Sequence, residues 1–318
     1  TMSDAESDSG STAEQPTRGF GWGGDAADAA KHTLKIELRV KRANYYYFKD
    51  WGLKDVKKWW PCAKTGYTKQ DQENLLSALQ RFYKQKYRED GEFVVVTETY
   101  KRSKSGFPGR LYSSGGCQGL VRAIRSNLLE GTADLDMNNA QPRCVLWACK
   151  QFGISTPCLA SYVADRDEKL RQIMADEGVS KGKAKQLVII TLTDENSLKR
   201  VKGDFLKAMD KEAKEIQTAL MKVEALQWIK TSCKETNKGG SFMSFLYHFI
   251  ENKLLMRVRE MLYSDEFKID VAALVFDGLN LADEARHGDQ TILDRAREVC
   301  EEVAPGINMP WAFKTLDY

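Results

Sequence analysis

No apolar run of about 18 residues occurs in the 318-residue chain, so a membrane-spanning helix is not expected. The seven cysteines (Cys62, Cys117, Cys144, Cys149, Cys158, Cys233 and Cys300) form no Cys-x-x-Cys pair. None has one of the three histidines at ligand spacing, which argues against a structural zinc site. Cysteines without a pairing pattern fit an intracellular, reducing compartment. Net charge is also lacking: 48 basic residues meet 45 acidic ones, leaving +3. A strongly basic surface must therefore be local. There is no internal repeat, and the acidic, Ser/Gly-rich N-terminus carries no signal-peptide pattern.

At 42% hydrophobic residues, the chain can bury a substantial core. Residues 1–31 are poor in apolar residues and are expected to be disordered. Residues 33–41 alternate apolar and charged side chains, a strand pattern. The Tyr/Trp-rich segment that follows suits core packing, with base stacking as the alternative. Residues 70–86 have Leu75, Leu76, Leu79 and Phe82 at helical spacing, and residues 92–101 read as a strand. Residues 101–116 form a basic, Gly/Ser-rich loop suited to phosphate contacts. Further helices are expected over 118–129, 161–177, 198–230, 241–262 and 291–303. Residues 181–191 are helix-like at the front and β-branched at the back. Residues 268–281 suggest two strands joined by a turn, or one strand bent near Asp277, and 308–316 a closing strand. Many helices with a few separated strands make an α+β fold, with one small antiparallel sheet.

Two sites in this pattern invite chemistry. Asp134 and Asp136 lie two apart at a strand end, on one face, before a turn into an apolar helix. Such carboxylates suit a hard cation, or simply an N-cap. Asp277 ends the apolar run Val271–Phe276 and precedes Gly278. A carboxylate there is costly unless it is paired or metal-bound, though Asp-Gly is also a common turn.

The order of motifs resembles the polymerase domain of family A DNA polymerases, the DNA polymerase I type, and its compact viral and mobile-element relatives. The resemblance runs from Phe107 to the C-terminus. Gly109-Arg110-Leu111-Tyr112-Ser113-Ser114 with Gln118 is similar to the family's primer–template-holding segment, with an inserted Tyr112. Asp136 to Arg143 matches motif A, with Gln141 where the family has its sugar-gating Glu. Lys181 and Lys185 resemble the basic pair of the fingers helix, although the same spacing also makes a solvated basic face. The family's aromatic-Gly pair is replaced by Thr193-Asp194. Phe276-Asp277-Gly278 resembles motif C, with Gly278 in place of a Glu.

The resemblance implies a right-hand palm with helical fingers and a reduced thumb. The expected boundaries are a tail at 1–31, thumb or N-terminal subdomain at 32–105, and palm at 106–152. Fingers at 153–240 and palm with the C-terminal helix and strand at 241–318 complete the set. It implies two Mg²⁺ ions, or Mn²⁺ in their place, on Asp136 and Asp277, with Asp134 either an extra ligand or a cap. Lys185 would serve catalysis, and Lys181, Lys185, Gln141, Arg143 and Ile189 would bind a nucleoside triphosphate. Arg110, Ser113, Ser114, Gln118, Arg122 and Arg125 would hold primer–template nucleic acid. The expected activity is template-directed addition of deoxynucleotides to a primer 3′-OH, without a proofreading exonuclease. The rivals are an RNA polymerase, primase or terminal transferase on the same palm, and an inactive nucleic-acid-binding accessory protein. A helical scaffold without nucleic acid would leave the motif order as coincidence.

Overall fold

The computed structural model describes residues 20–22, 33–60, 68–103, 107–194 and 201–315. The fold is mixed α+β with two antiparallel sheets, where the sequence suggested one. The first begins with β1 (Leu34–Lys41), whose alternating burial follows its alternating sequence. Helices α1 (Arg42–Lys49), α2 (Leu53–Trp59) and α3 (Lys69–Phe82) follow. Thr68 caps α3: its hydroxyl accepts from the Asp71 amide while the Asp71 carboxylate accepts from the Thr68 amide. The chain then forms β2 (Lys86–Asp90), β3 (Phe93–Lys101) and the two-residue β4 (Tyr112–Ser113). The order is β1-β3-β2, with β4 on the end of β3. β2 is wholly exposed and so has no apolar alternation by which the sequence could announce it.

One face of this sheet buries Leu38, Val40, Val94 and Val96 with Leu75, Leu79 and Phe82 of α3 and Tyr45 and Phe48 of α1. The segment expected as a reduced thumb is thus a sheet backed by helices. Its core continues into α4 (Arg122–Leu128) and into Ala272 and Ala273 of the second sheet.

The second sheet contains β5 (Ala133–Met137), β6 (Val271–Val275), β7 (Gly278–Leu281) and β8 (Trp311–Lys314), in the order β6-β7-β5-β8. Between β5 and β6 lie α5 (Ala140–Gln151), α6 (Pro157–Ala164), α7 (Arg166–Glu177), α8 (Lys181–Thr193) and α9 (Asp204–Leu220). Short α10 (Gln227–Lys230) and the 26-residue α11 (Lys238–Tyr263) complete that stretch. The ambiguous 181–191 segment is helical throughout. The helix expected over 161–177 breaks at Asp165, whose carboxylate caps α7 by accepting from Glu168 N. Helix α12 (Gln290–Val303) leads into β8, with Leu316 outside the described residues.

Most of the expected N-terminal tail also lies outside the described residues, but Phe20–Trp22 correct that expectation. Phe20 and Trp22 are 2% and 6% exposed. The Trp22 ring stacks on Trp147 of α5 at 5.1 Å, and Phe20 meets Trp147 edge-on at 4.6 Å. Lys253 of α11 donates to the Phe20 carbonyl at 2.5 Å, and Trp228 of α10 donates to the Trp22 carbonyl at 2.5 Å. Two large aromatics outweigh the polar composition around them.

Candidate active site

β5 is flanked by β7 and β8, so Asp136 lies opposite Gly278 on one side and Ala312 on the other. β6 and β7 form a tight hairpin in which Val275 faces Gly278, leaving Phe276 and Asp277 as the turn. Phe276 takes φ +58°, a left-handed conformation unusual for a bulky residue. The Asp277 carbonyl accepts from Met137 N at 3.3 Å, which ties the turn to the end of β5. The two aspartates of the motif resemblance therefore come together at adjoining strand ends. Asp136 is 6% exposed. Burial raises the pKa of Asp277, and the Arg110 guanidinium opposes that rise. Asp134 is half-buried; burial raises its pKa against the pull of Lys314, Arg125 and Arg122.

Gly278 sits in a tight space beside Asp136. A Cβ at that position would stand 2.8 Å from Asp136 Oδ1 and 3.1 Å from the Leu135 carbonyl. The departure from the family's Glu follows from how close this carboxylate approaches the hairpin. On the other flank, Lys314 of β8 makes an ion pair with Asp136 Oδ2.

Arg110 does not point freely to solvent. Its Nε and Nη2 donate to the two carboxylate oxygens of the fully buried Glu251, at 2.5 and 2.8 Å. Its guanidinium also lies 5.6 Å from the centre of the Phe276 ring. Burial drives the Glu251 pKa up to about 7, with Arg110 pulling it back. Arg110 thus braces the turn that carries Asp277.

Gln118 is also spent internally. Its Nε2 donates to the carbonyls of Leu111 (3.2 Å) and Leu274 (3.4 Å), and its Oε1 accepts from Ser113 N (3.2 Å). Leu274 sits on edge strand β6, and its amide donates to the Tyr100 hydroxyl at 3.1 Å. Tyr100 in turn donates to Glu98 Oε2 at 2.7 Å, and Glu98 Oε1 accepts from Cys117 N at 2.6 Å. The first sheet thereby clasps the outer edge of the second, one residue before Val275 and the Asp277 turn. Arg125 donates to the Leu120 carbonyl and Arg122 to that of Thr315. Ser113 is half-buried, while Ser114 and Arg122 are exposed.

Of the candidate nucleotide-binding residues, Arg143 and Lys185 both lie within the field of Arg166. Lys181, Lys185 and Ile189 form a stripe along α8. Lys181 pairs with Asp167 at 2.9 Å. The pKa of Lys185 is lowered by burial and then by the cations Arg166 and Lys181. Arg143, on α5, is lowered by burial and by Arg166. Arg166 donates to Asn138 Oδ1 at 2.7 Å, in the turn just after Asp136 and Met137. The Nε groups of both arginines are buried without a partner. Gln141 is half-buried in the first turn of α5. Crowded cations with unspent donors are a site for an anion.

Sequence reasoning missed Glu251, Arg166, Lys314 and Tyr100. Glu251 left a signal, an acid among Tyr247, Ile250, Leu254 and Leu255 on an apolar helix face. Arg166 left none, because an arginine at a helix start is ordinarily a surface residue.

Among the described residues, no three His, Cys, Asp or Glu side chains group to hold a metal. Asp136 and Asp277 still supply two hard carboxylates. That suffices for one Mg²⁺, which completes its shell with water and substrate oxygens.

No family model matches the chain. It is 31% identical over 188 residues to a Sputnik virophage protein named "Putative helicase V13", covering 54% of this chain and 24% of that protein. The chain thus spans about a quarter of the length of this curated relative. Among solved structures it is similar to the POL domain of Pol1 from M. smegmatis, in complex with DNA primer-template and dNTP. The TM-score is 0.46 at 12% identity, over 83% of this chain and 55% of that one. Among the described residues, no helix is long and apolar enough to cross a membrane.

Proposed function

We propose that the chain is a nucleotidyltransferase that adds deoxynucleotides to a primer 3′-OH under the direction of a template. The observation that carries this reading is the pairing of two opposed environments around β5. A carboxylate pair, Asp136 and Asp277, lies at the strand end, and the cations Arg143, Arg166 and Lys185 gather around the next turn. In-line phosphoryl transfer needs both, one to serve the attacking oxygen and one to receive phosphate charge. The motif order of the sequence supports the same reading.

Asp136 and Asp277 would hold the divalent ion. Mg²⁺, or Mn²⁺ in its place, supplies when bound the Lewis acidity that lowers the pKa of a hydroxyl and offsets phosphate charge. Arg143 and Arg166, each with one Nη already donated to Asn308 O or Asn138 Oδ1, would bind and orient the triphosphate with the rest of the guanidinium. Lys185 holds its proton more loosely than an ordinary lysine, so it is the better acid toward a leaving pyrophosphate. Lys181 and Ile189 extend that wall. Gln141, in the turn after Asp136, faces the choice of sugar. Ser114 and Arg122 meet the nucleic-acid backbone from the exposed side. Arg110, Gln118 and Arg125 act from within the walls.

The test is extension of a labelled primer on DNA and RNA templates, and without template, with dNTPs and rNTPs in parallel. Asp136→Asn and Asp277→Asn should each reduce incorporation by at least about a thousandfold while leaving the melting curve cooperative. Full incorporation by both variants overturns the assignment. An amide at 141 in place of a carboxylate favours one second reading, a ribonucleotide-using primase. Incorporation confined to rNTPs would select it.

A further inference from the structure

We propose that Lys314 is a built-in cation of the site, so that the carboxylate pair holds one divalent ion where the family resemblance implies two. This rests on the reading of Asp136 and Asp277 as metal ligands. In the antiparallel register, Asp134 faces Lys314 and Asp136 faces Ala312. Residues two apart on neighbouring strands share a face, so Lys314 stands beside both aspartates. Its ammonium is on Asp136 Oδ2. Asp136's side chain is only 9% exposed, which leaves little of its carboxylate for a second cation.

The rest of that sheet face offers few donors. Gly278 contributes no side chain, and a Cβ there would collide with Asp136 Oδ1. Ala312 has no donor either. Asn280, opposite Asp134, is 1% exposed; its amide nitrogen faces Thr132 at 3.5 Å, and its Oδ1 is a buried oxygen without a partner, closed off from solvent. Asp134 lies opposite Lys314 on this face.

The experiment counts bound Mn²⁺ by electron paramagnetic resonance on the full chain, with a non-hydrolysable dNTP present. Lys314→Arg keeps the charge and Lys314→Met removes it; circular dichroism checks each fold. The expected counts are one ion in the wild type, one in Lys314→Arg and two in Lys314→Met. Two ions in the wild type, or one in a folded Lys314→Met, overturn the proposal. If Lys314→Met does not fold, the wild-type count decides. No bound Mn²⁺, or binding unchanged in Asp277→Asn, sinks the ligand assignment itself. Primer extension run in parallel separates the two levels: one ion without incorporation keeps the metal count and discards the polymerase reading.

Discussion

His248 has lost most of its basicity. Burial, and then the Arg110 guanidinium, push its pKa down to about 3 from an ordinary 6.5. The unfolded chain therefore binds a proton that the folded chain refuses. Its contribution to stability is complete above about pH 6.5 and is lost as pH falls toward 3. Urea unfolding from about pH 7 down to pH 4 should show the wild type losing about 3 kcal/mol more than His248→Gln. Equal losses would remove the histidine from the account. At this scale the sequence was partly legible. Motif spacing pointed to Asp136 and Asp277 as a pair because it names positions in a chain, and the strand register brings them to adjoining strand ends. Glu251 and Lys314 act through partners 141 and 178 residues away in the chain, and no spacing rule connects such pairs.

The second sheet's hairpin is positioned by an element that belongs to another sheet. Tyr100 and Gln118 satisfy the outward-facing amide and carbonyl of Leu274, which an edge strand would otherwise leave to water. Tyr100→Phe removes two buried hydrogen bonds, the one from the Leu274 amide and the one to Glu98 Oε2. A loss of about 1–2 kcal/mol is expected. Hydrogen exchange at the Leu274 amide should quicken more than at Leu279, its partner on the inner strand. Uniform quickening would mean that the clasp is only part of the global fold. Helices were legible in sequence where apolar residues recur on one face, as in α3 and α12. β2 was not, since an exposed edge strand carries no such signature, and α8 was ambiguous because its β-branched residues are buried in a helix.

The short aromatic segment Phe20–Trp22 is packed into the core around the second sheet. It lies against α5, α10 and α11, three helices that otherwise belong to different stretches of the chain. Trp22→Ala should cost about 3–5 kcal/mol in urea unfolding, the cost of deleting a large buried aromatic. A change under about 1 kcal/mol would make the segment a passive cover. Composition hid this feature, because two rings among glycines and acids do not raise the average. The α+β class was legible, since it needs only the alternation of periodicities. The division into two sheets was not, because β1 and β3 pair through backbone groups that every sequence shares.

Gly278 and Asp136 share one tight space. A lineage that acquires a side chain at 278 must turn the carboxylate at 136 or shift the hairpin to seat it. Among natural variants, a side chain at 278 should therefore appear together with an altered local path of β5 or of the hairpin, while the aspartate at 136 stays.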